Sequence, residues 1–150
     1  MNDLYLKVYG VNGESKDINH PGWTHITSYN WGAQRKGRSK SPVHYRNLTV
    51  YSAIDKSSAA ILQLASNGNQ IKEAILSACK AGDSQIEFYR ITLQNVIVAE
   101  VLFNDMGDMT SVEYEFQADQ IKLQYWEQSV TGGKGAETRA SWDIKNATSI

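Results

Sequence analysis

Asp55-Lys56-Ser57-Ser58-Ala59-Ala60-Ile61-Leu62-Gln63-Leu64-Ala65-Ser66-Asn67-Gly68 is the one stretch of this chain that reads plainly as a helix, and its brevity decides the fold class. Asp55, Ser57 and Ser58 each offer a side-chain oxygen to the unpaired amides of a first turn. Ala60, Ile61, Leu64 and Ala65 recur at helical spacing, with Leu62 widening the stripe. Asn67-Gly68 tolerates the left-handed backbone that closes a helix. About three turns are marginal in isolation, because nucleation costs more than so short a run returns. The helix therefore needs an apolar surface to lie on, and Ile61 and Leu64 are expected to be the buried anchors. Everything around it reads as strands, so the expected fold is mainly β: a β-barrel of two sheets with one short α-helix, about residues 57–67, packed on it.

Working outward toward the N-terminus, His44 to Ile54 is rich in Tyr, Val, Leu and Thr and reads as a strand leading into the helix. Leu4, Leu6 and Val8 alternate with polar neighbours as a first strand, which stops at Gly10-Val11-Asn12-Gly13. His20-Pro21-Gly22-Trp23 is a turn followed by a large anchor, and a second strand runs from about His25 to Trp31. Between them and the helix, residues 33–42 show no apolar periodicity and are expected to form a long loop.

Toward the C-terminus, residues 70–80 fit a helix or two strand faces, with local propensity favouring helix. Ala81-Gly82-Asp83-Ser84 is a hairpin-type turn, and Tyr89, Ile91 and Leu93 open a long β-run that reaches a doubly buried Val96-Ile97-Val98. Val112, Tyr114, Phe116 and Ala118 then give way to Ile121, Leu123 and Tyr125. A one-residue change of phase predicts a β-bulge near Asp119, and bulges bend strands toward closure. Trp142-Asp143-Ile144 is a short last strand, with Trp142 expected to cover an end of the barrel.

The 150 residues are expected to form a single domain, 1–150, and contain neither an internal repeat nor a linker. Apolar residues make up 41% and charged residues 21%, which excludes a disordered or low-complexity chain. A net charge of −1 argues against a general polyanion binder. The single cysteine, Cys79, rules out an internal disulfide and a cysteine-based zinc cluster. The N-terminus lacks the basic and apolar regions of a secretory signal, and no apolar run nears the roughly 20 residues of a membrane span.

No catalytic, cofactor-binding or metal site emerges. Gly132-Gly133-Lys134-Gly135 lacks the strand and helix that frame a phosphate loop, and His20, His25 and His44 lack metal-ligand spacing. No GxSxG elbow is present, so a serine triad is no more than compositionally open. Glu113 and Glu115 read as the solvated face of an amphipathic strand. Arg35, Lys36, Arg38 and Lys40 surround Gly37 between Trp31 and Tyr45, a weak nucleic-acid signal. A solvated loop, a loop ordered in an assembly, and a contact with an acidic partner surface compete with that reading.

The ordered landmarks are Gly13-Glu14-Ser15-Lys16-Asp17, His20-x-Gly22-Trp23, Ser28-x-x-Trp31-Gly32, Asp55-Lys56-x-Ser58, Gly68, Glu87-x-Tyr89, Val96-Ile97-Val98, the Glu115-Phe116 β-pattern and Trp142-Asp143. Together, along nearly the whole chain, they resemble the haemolysin co-regulated protein (Hcp) family, the tail-tube protein of bacterial type VI secretion. The family often has Pro after the helix-start serine and Gly before the final Trp-Asp, where this chain has Ala59 and Ser141. The resemblance implies that residues 70–80 are a strand. It implies a structural, non-enzymatic homo-hexamer whose stacked rings form a tube, with a VgrG-type spike protein, contractile sheath and baseplate proteins and secreted effectors as partners. It implies assembly in the cytoplasm, export without a cleaved signal, and no nucleic-acid or membrane partner. With Trp142-Asp143 so near the end, no appended toxin domain is expected. Trp23, Trp31, Ile61, Leu64 and Trp142 are then structural anchors, and Arg35, Lys36, Arg38 and Lys40 belong to a loop for ring packing or stacking, with Glu14, Asp17, Asp105 and Asp108 as candidate acidic partners. The alternative is a small monomeric β-barrel module that binds nucleic acid through the 35–40 loop. A hydrolase ranks last.

Overall fold

Alternating apolar residues build a sheet that wraps around one core, and the structure, a computed structural model, describes residues 2–38, 42–81 and 85–150. In chain order the elements are β1 (Asn2–Val8), β2 (Thr24–Ile26), β3 (Ser28–Asn30), β4 (Ala33–Gln34), β5 (His44–Tyr45), β6 (Leu48–Ser52), α1 (Ser57–Asn67), β7 (Ile71–Lys80), β8 (Ile86–Asp105), β9 (Thr110–Gln128), β10 (Lys134–Asp143) and β11 (Thr148–Ser149). The mainly β fold with one short helix is as expected.

Among the described residues nine strands share one sheet, and β4 and β5 form a separate two-stranded ribbon. All pairings are antiparallel: β1 lies between β2 and β7, β7 joins β8, and β8 joins β9. The second edge of β9 is divided. Val112 to Phe116 face β6, while Gln120 to Gln128 face β10. β6 in turn pairs with β3. The second strand expected from His25 to Trp31 is broken at Thr27, so β2 serves β1 and β3 serves β6. Thr27 spans the break by donating its amide to the Tyr51 carbonyl at 2.8 Å. The sheet thus wraps round without an unbroken closing ladder, and this corrects the expected barrel of two sheets in its detail.

Residues 71–80 are strand β7, as the resemblance implied and against local helix propensity. Pairing on both edges, with Ala74, Leu76, Ala78 and Cys79 fully buried, overrides a preference worth only tenths of a kcal/mol per residue. The hairpin between β7 and β8 is present, although Gly82, Asp83 and Ser84 of its turn lie outside the described residues.

The bulge expected at Asp119 takes another form. Val96 pairs with Ala118 and Gln94 with Gln120, so the register does not slip there. Buried positions in β8 also change phase, from Ile91 and Leu93 to Val96 and Val98, across Asn95, whose φ is +52°. Two facing strands change phase at one level, so their pairing survives. The register does shift further on, between Val98 and Glu100. At Asp119 itself β9 exchanges β6 for β10, and its carbonyl accepts the amides of Ile144 and Lys145 at 2.7 and 3.2 Å.

The helix lies mainly against β8. Ile61 is fully buried, but Leu64 is half-buried and Ala60 is exposed, which narrows the expected apolar stripe. Polar groups take the missing places. Ser58 Oγ accepts from Tyr114 Oη at 2.8 Å, and Ser57 Oγ accepts from Thr24 Oγ1 at 3.1 Å, both serines being buried. Asp55 Oδ1 accepts the Ser57 amide and Ser58 Oγ accepts the Asp55 amide, a reciprocal arrangement like a capping box. Gly68 (φ +68°) closes the helix with its amide on the Leu64 carbonyl.

Candidate functional site

The basic stretch between residues 33 and 42 is not wholly a loop. Ala33 pairs with Tyr45 and Gln34 with His44, so Arg35, Lys36 and Arg38 sit at the exposed end of a β-ribbon that turns at Gly37 (φ +68°). Lys40 lies outside the described residues. Trp31 and Tyr45 form the root of the ribbon, with ring centroids 6.2 Å apart and both rings packed on the core. The Arg46 amide closes the root on the Gly32 carbonyl at 2.8 Å. Pairing of two residues on each side makes this basic segment the end of a short ribbon separate from the main sheet.

Beside that root is an acidic surface. Glu100 pairs with Glu115, and Leu102 with Glu113, which groups three carboxylates on adjoining strands. Partial burial, then the charges of Glu100 and Glu115, push the Glu113 carboxyl above its ordinary value. Asn47 Nδ2 donates to Glu115 Oε2 at 3.3 Å, and the same concavity is lined by His44 and Arg46. Of the four expected acidic partners, three take a hydrogen bond within the protomer. Glu14 accepts the Lys56 amide at 2.7 Å, and Asp17 accepts from His20 Nδ1, also at 2.7 Å. Asp105 accepts the Gly107 amide in an exposed turn. The hairpin joining β8 and β9 exposes Leu102, Phe103, Met106 and Met109, an apolar end.

A serine, a histidine and an aspartate do come together, but inside the protein. His20 Nε2 lies 3.0 Å from Ser77 Oγ, and Ser77 donates to Glu87 Oε2 at 2.6 Å. Ser77 has no exposed surface, and its hydrogen is committed to a carboxylate, so it has neither access to a substrate nor a base to activate it. Burial works to raise the Glu87 carboxyl, yet hydrogen bonds from Arg90, Ser77 and Lys134 hold it below the ordinary carboxylate range. Among the described residues no group of three or more His, Cys, Asp or Glu is placed to hold a metal, and no helix is long and apolar enough to cross a membrane. In the sequence His20-x-Gly22-Trp23 reads as a turn, an anchor and a family landmark. The partners are 57 and 10 residues apart along the chain, and no local pattern announces them.

Trp23 is half-buried with its ring edge-on to His20 at 4.8 Å, and Trp142 is half-buried against the core beside its pairing partner Ile121.

A family profile described as "Type VI secretion system effector, Hcp" matches residues 5–131. Protein hcp1 of Pseudomonas aeruginosa is 28% identical over 154 residues, covering 95% of each chain. Among solved structures, Hcp1 from Salmonella typhimurium superposes with a TM-score of 0.88 at 26% identity, covering 99% of both chains. Hcp2 from the same organism gives a TM-score of 0.78 at 26% identity over 97% of this chain.

Proposed function

This chain belongs to the Hcp family of type VI secretion proteins, a structural and not an enzymatic family, and from that membership we propose that it forms six-membered rings that stack into the secretion tube. In this reading the ring is itself exported and carries effectors in its lumen. A VgrG-type spike protein, the contractile sheath and the baseplate meet the ends and outside of the tube. Assembly takes place in the cytoplasm and release needs no cleaved signal. The observation that carries the proposal is the match to Hcp1 of Salmonella typhimurium over 99% of both chains. Export tests it: the protein should accumulate in the medium of cells with an intact type VI apparatus and stay inside cells lacking the sheath. Equal release from both would contradict it.

Within that reading, the ribbon bearing Arg35, Lys36 and Arg38, with Lys40 beyond the described residues, is the contact for ring packing or stacking. A ring of head-to-tail copies presents two different surfaces to its neighbours and a third along the axis. The ribbon supplies positive charge on an arm, and Glu100, Glu113 and Glu115 supply a negative surface on the same protomer. One copy's arm therefore has a complement on the next. Trp23, Trp31, Ile61, Leu64 and Trp142 act as anchors of the protomer that the assembly repeats.

A further inference from the structure

We propose that the cleft between residues 86–88 of β8 and residues 126–128 of β9 binds an extended, apolar peptide segment of another protein, which enters as an added strand. The proposal does not rest on the assembly reading. The ladder between β8 and β9 ends at the pair Tyr89 and Tyr125. Both strands run on past that pair, β8 as far as Ile86 and β9 as far as Gln128. There each keeps its outer neighbour: Glu87 pairs with Cys79 of β7, and Trp126 with Glu137 of β10. The edges turned toward each other carry no strand partner among the described residues. They enclose a cavity of about 410 Å³ whose lining includes Ile86, Phe88, Tyr125 and Trp126. Ligand pockets run to roughly 300–1,000 Å³, so this one is of useful size. Strand edges without a ladder offer amides and carbonyls to an incoming main chain, and here two such edges face one cleft.

Both walls are fixed from behind. Ala78 pairs with Tyr89 but Cys79 with Glu87, so Phe88 is an extra residue in β8, and a bulge of this kind bends the strand that carries it. The register of β9 with β10 likewise shifts between Lys134 and Glu137. A Cβ on Gly135 would lie 2.7 Å from the Glu127 carbonyl oxygen, so β10 is drawn close to its side of the cleft. Lys134 ties the two walls together, with Nζ 2.9 Å from Glu87 Oε1 and 3.8 Å from the centre of the Trp126 ring. A cleft held open in advance spares an incoming segment the cost of ordering it. The lining also selects the class of ligand. Glu87 already accepts from Arg90, Lys134 and Ser77, and Lys80 Nζ stands 4.6 Å over the Phe88 ring. Trp126 Nε1 donates to Glu137 Oε1 at 3.2 Å. With these groups matched, the cleft lacks backbone partners and apolar contact, which a neutral extended chain supplies and an ion does not. Three residues on each wall span about 10 Å at roughly 3.3 Å per residue, room for about three residues of added strand.

Amide NMR on the 15N-labelled protein tests this with a pool of capped pentapeptides in which threonine alternates with valine, leucine, isoleucine, phenylalanine or tyrosine. At millimolar peptide the signals of residues 86–88 and of residues 126–128 should shift together, because one inserted strand touches both walls. Shifts at one wall alone, at neither wall, or only at the exposed hairpin end around Phe103 and Met106 would overturn the proposal. A second pool, N-methylated at every other residue, keeps the side chains but loses the amide donors toward one wall, since successive amides of a strand point to opposite sides. Its binding should be weaker by about tenfold or more. Equal binding of the two pools would show that side chains alone are captured, and would overturn strand insertion.

Discussion

Ser58 is almost wholly buried, yet it satisfies two donors at once, the Asp55 amide and Tyr114 Oη. Buried hydroxyls are tolerable only when so paired. Tyr114→Phe should therefore cost about 0.5–1.5 kcal/mol of unfolding free energy, measurable by urea denaturation. A variant as stable as the parent would show that this bond does not seat the helix. Ile61, with no exposed surface, is the apolar anchor: Ile61→Ala should cost about 2–5 kcal/mol. Leu64→Ala at its half-buried position should cost less, and equal losses would restore the wider stripe that periodicity predicted. Glu87 gives a pH signature. Its carboxyl is held below the ordinary value in the folded state, so it adds stability above the unfolded carboxylate range and loses it as pH falls below about 4. Between about pH 6 and about pH 3 the urea midpoint of Glu87→Gln should therefore fall less than that of the parent. Asp17, shifted the same way, adds to the parent's decline. Single residues of this kind were the least legible part of the sequence. Ile61 announced itself by spacing, but Ser57, Ser58 and Glu87 are polar residues whose burial depends on partners from distant strands.

At the level of elements, alternation in β1, β8 and β9 was readable because one face of each is buried and the other is not. Strand β7 was not, because it is paired on both edges and its buried residues run together from Leu76 to Cys79. The change of phase at Asp119 was legible, but its cause was not. An identical change at Asn95 on the neighbouring strand cancels the slip, and only pairing reveals that. The break at Thr27 left no trace in composition. Residues 33–42 looked structureless because the β4–β5 ribbon holds two residues on each side, too few to show a period. That ribbon carries the assembly prediction. Replacing Arg35, Lys36, Arg38 and Lys40 by Ser should leave the protomer folded and its melting temperature nearly unchanged, since exposed charge contacts are worth about 0–1 kcal/mol each. Stacking in sedimentation and export should both decline. If the parent instead bound oligonucleotides with steep salt dependence, and the variant lost that binding but stacked normally, the ribbon would be a nucleic-acid arm.

For the whole molecule, the proposed assembly draws on a sheet that wraps but whose ladder is interrupted at Thr27, a separate two-stranded ribbon, and an apolar hairpin end with Phe103 and Met106 exposed. Exposed apolar area of this kind is unfavourable in an isolated chain, and under the proposed assembly a neighbouring copy covers it. The family was legible before the fold was, because its landmarks are spread through the sequence and most are turns, caps or aromatic roots with a local job. The arrangement of surfaces was not, since the ribbon, the three carboxylates and the hairpin end come from separate parts of the chain. Light scattering coupled to gel filtration measures the outcome most directly. The account predicts a particle about six times the 16.8 kDa protomer at micromolar concentration, or multiples of it where rings stack. A strict monomer at every concentration tested would contradict it.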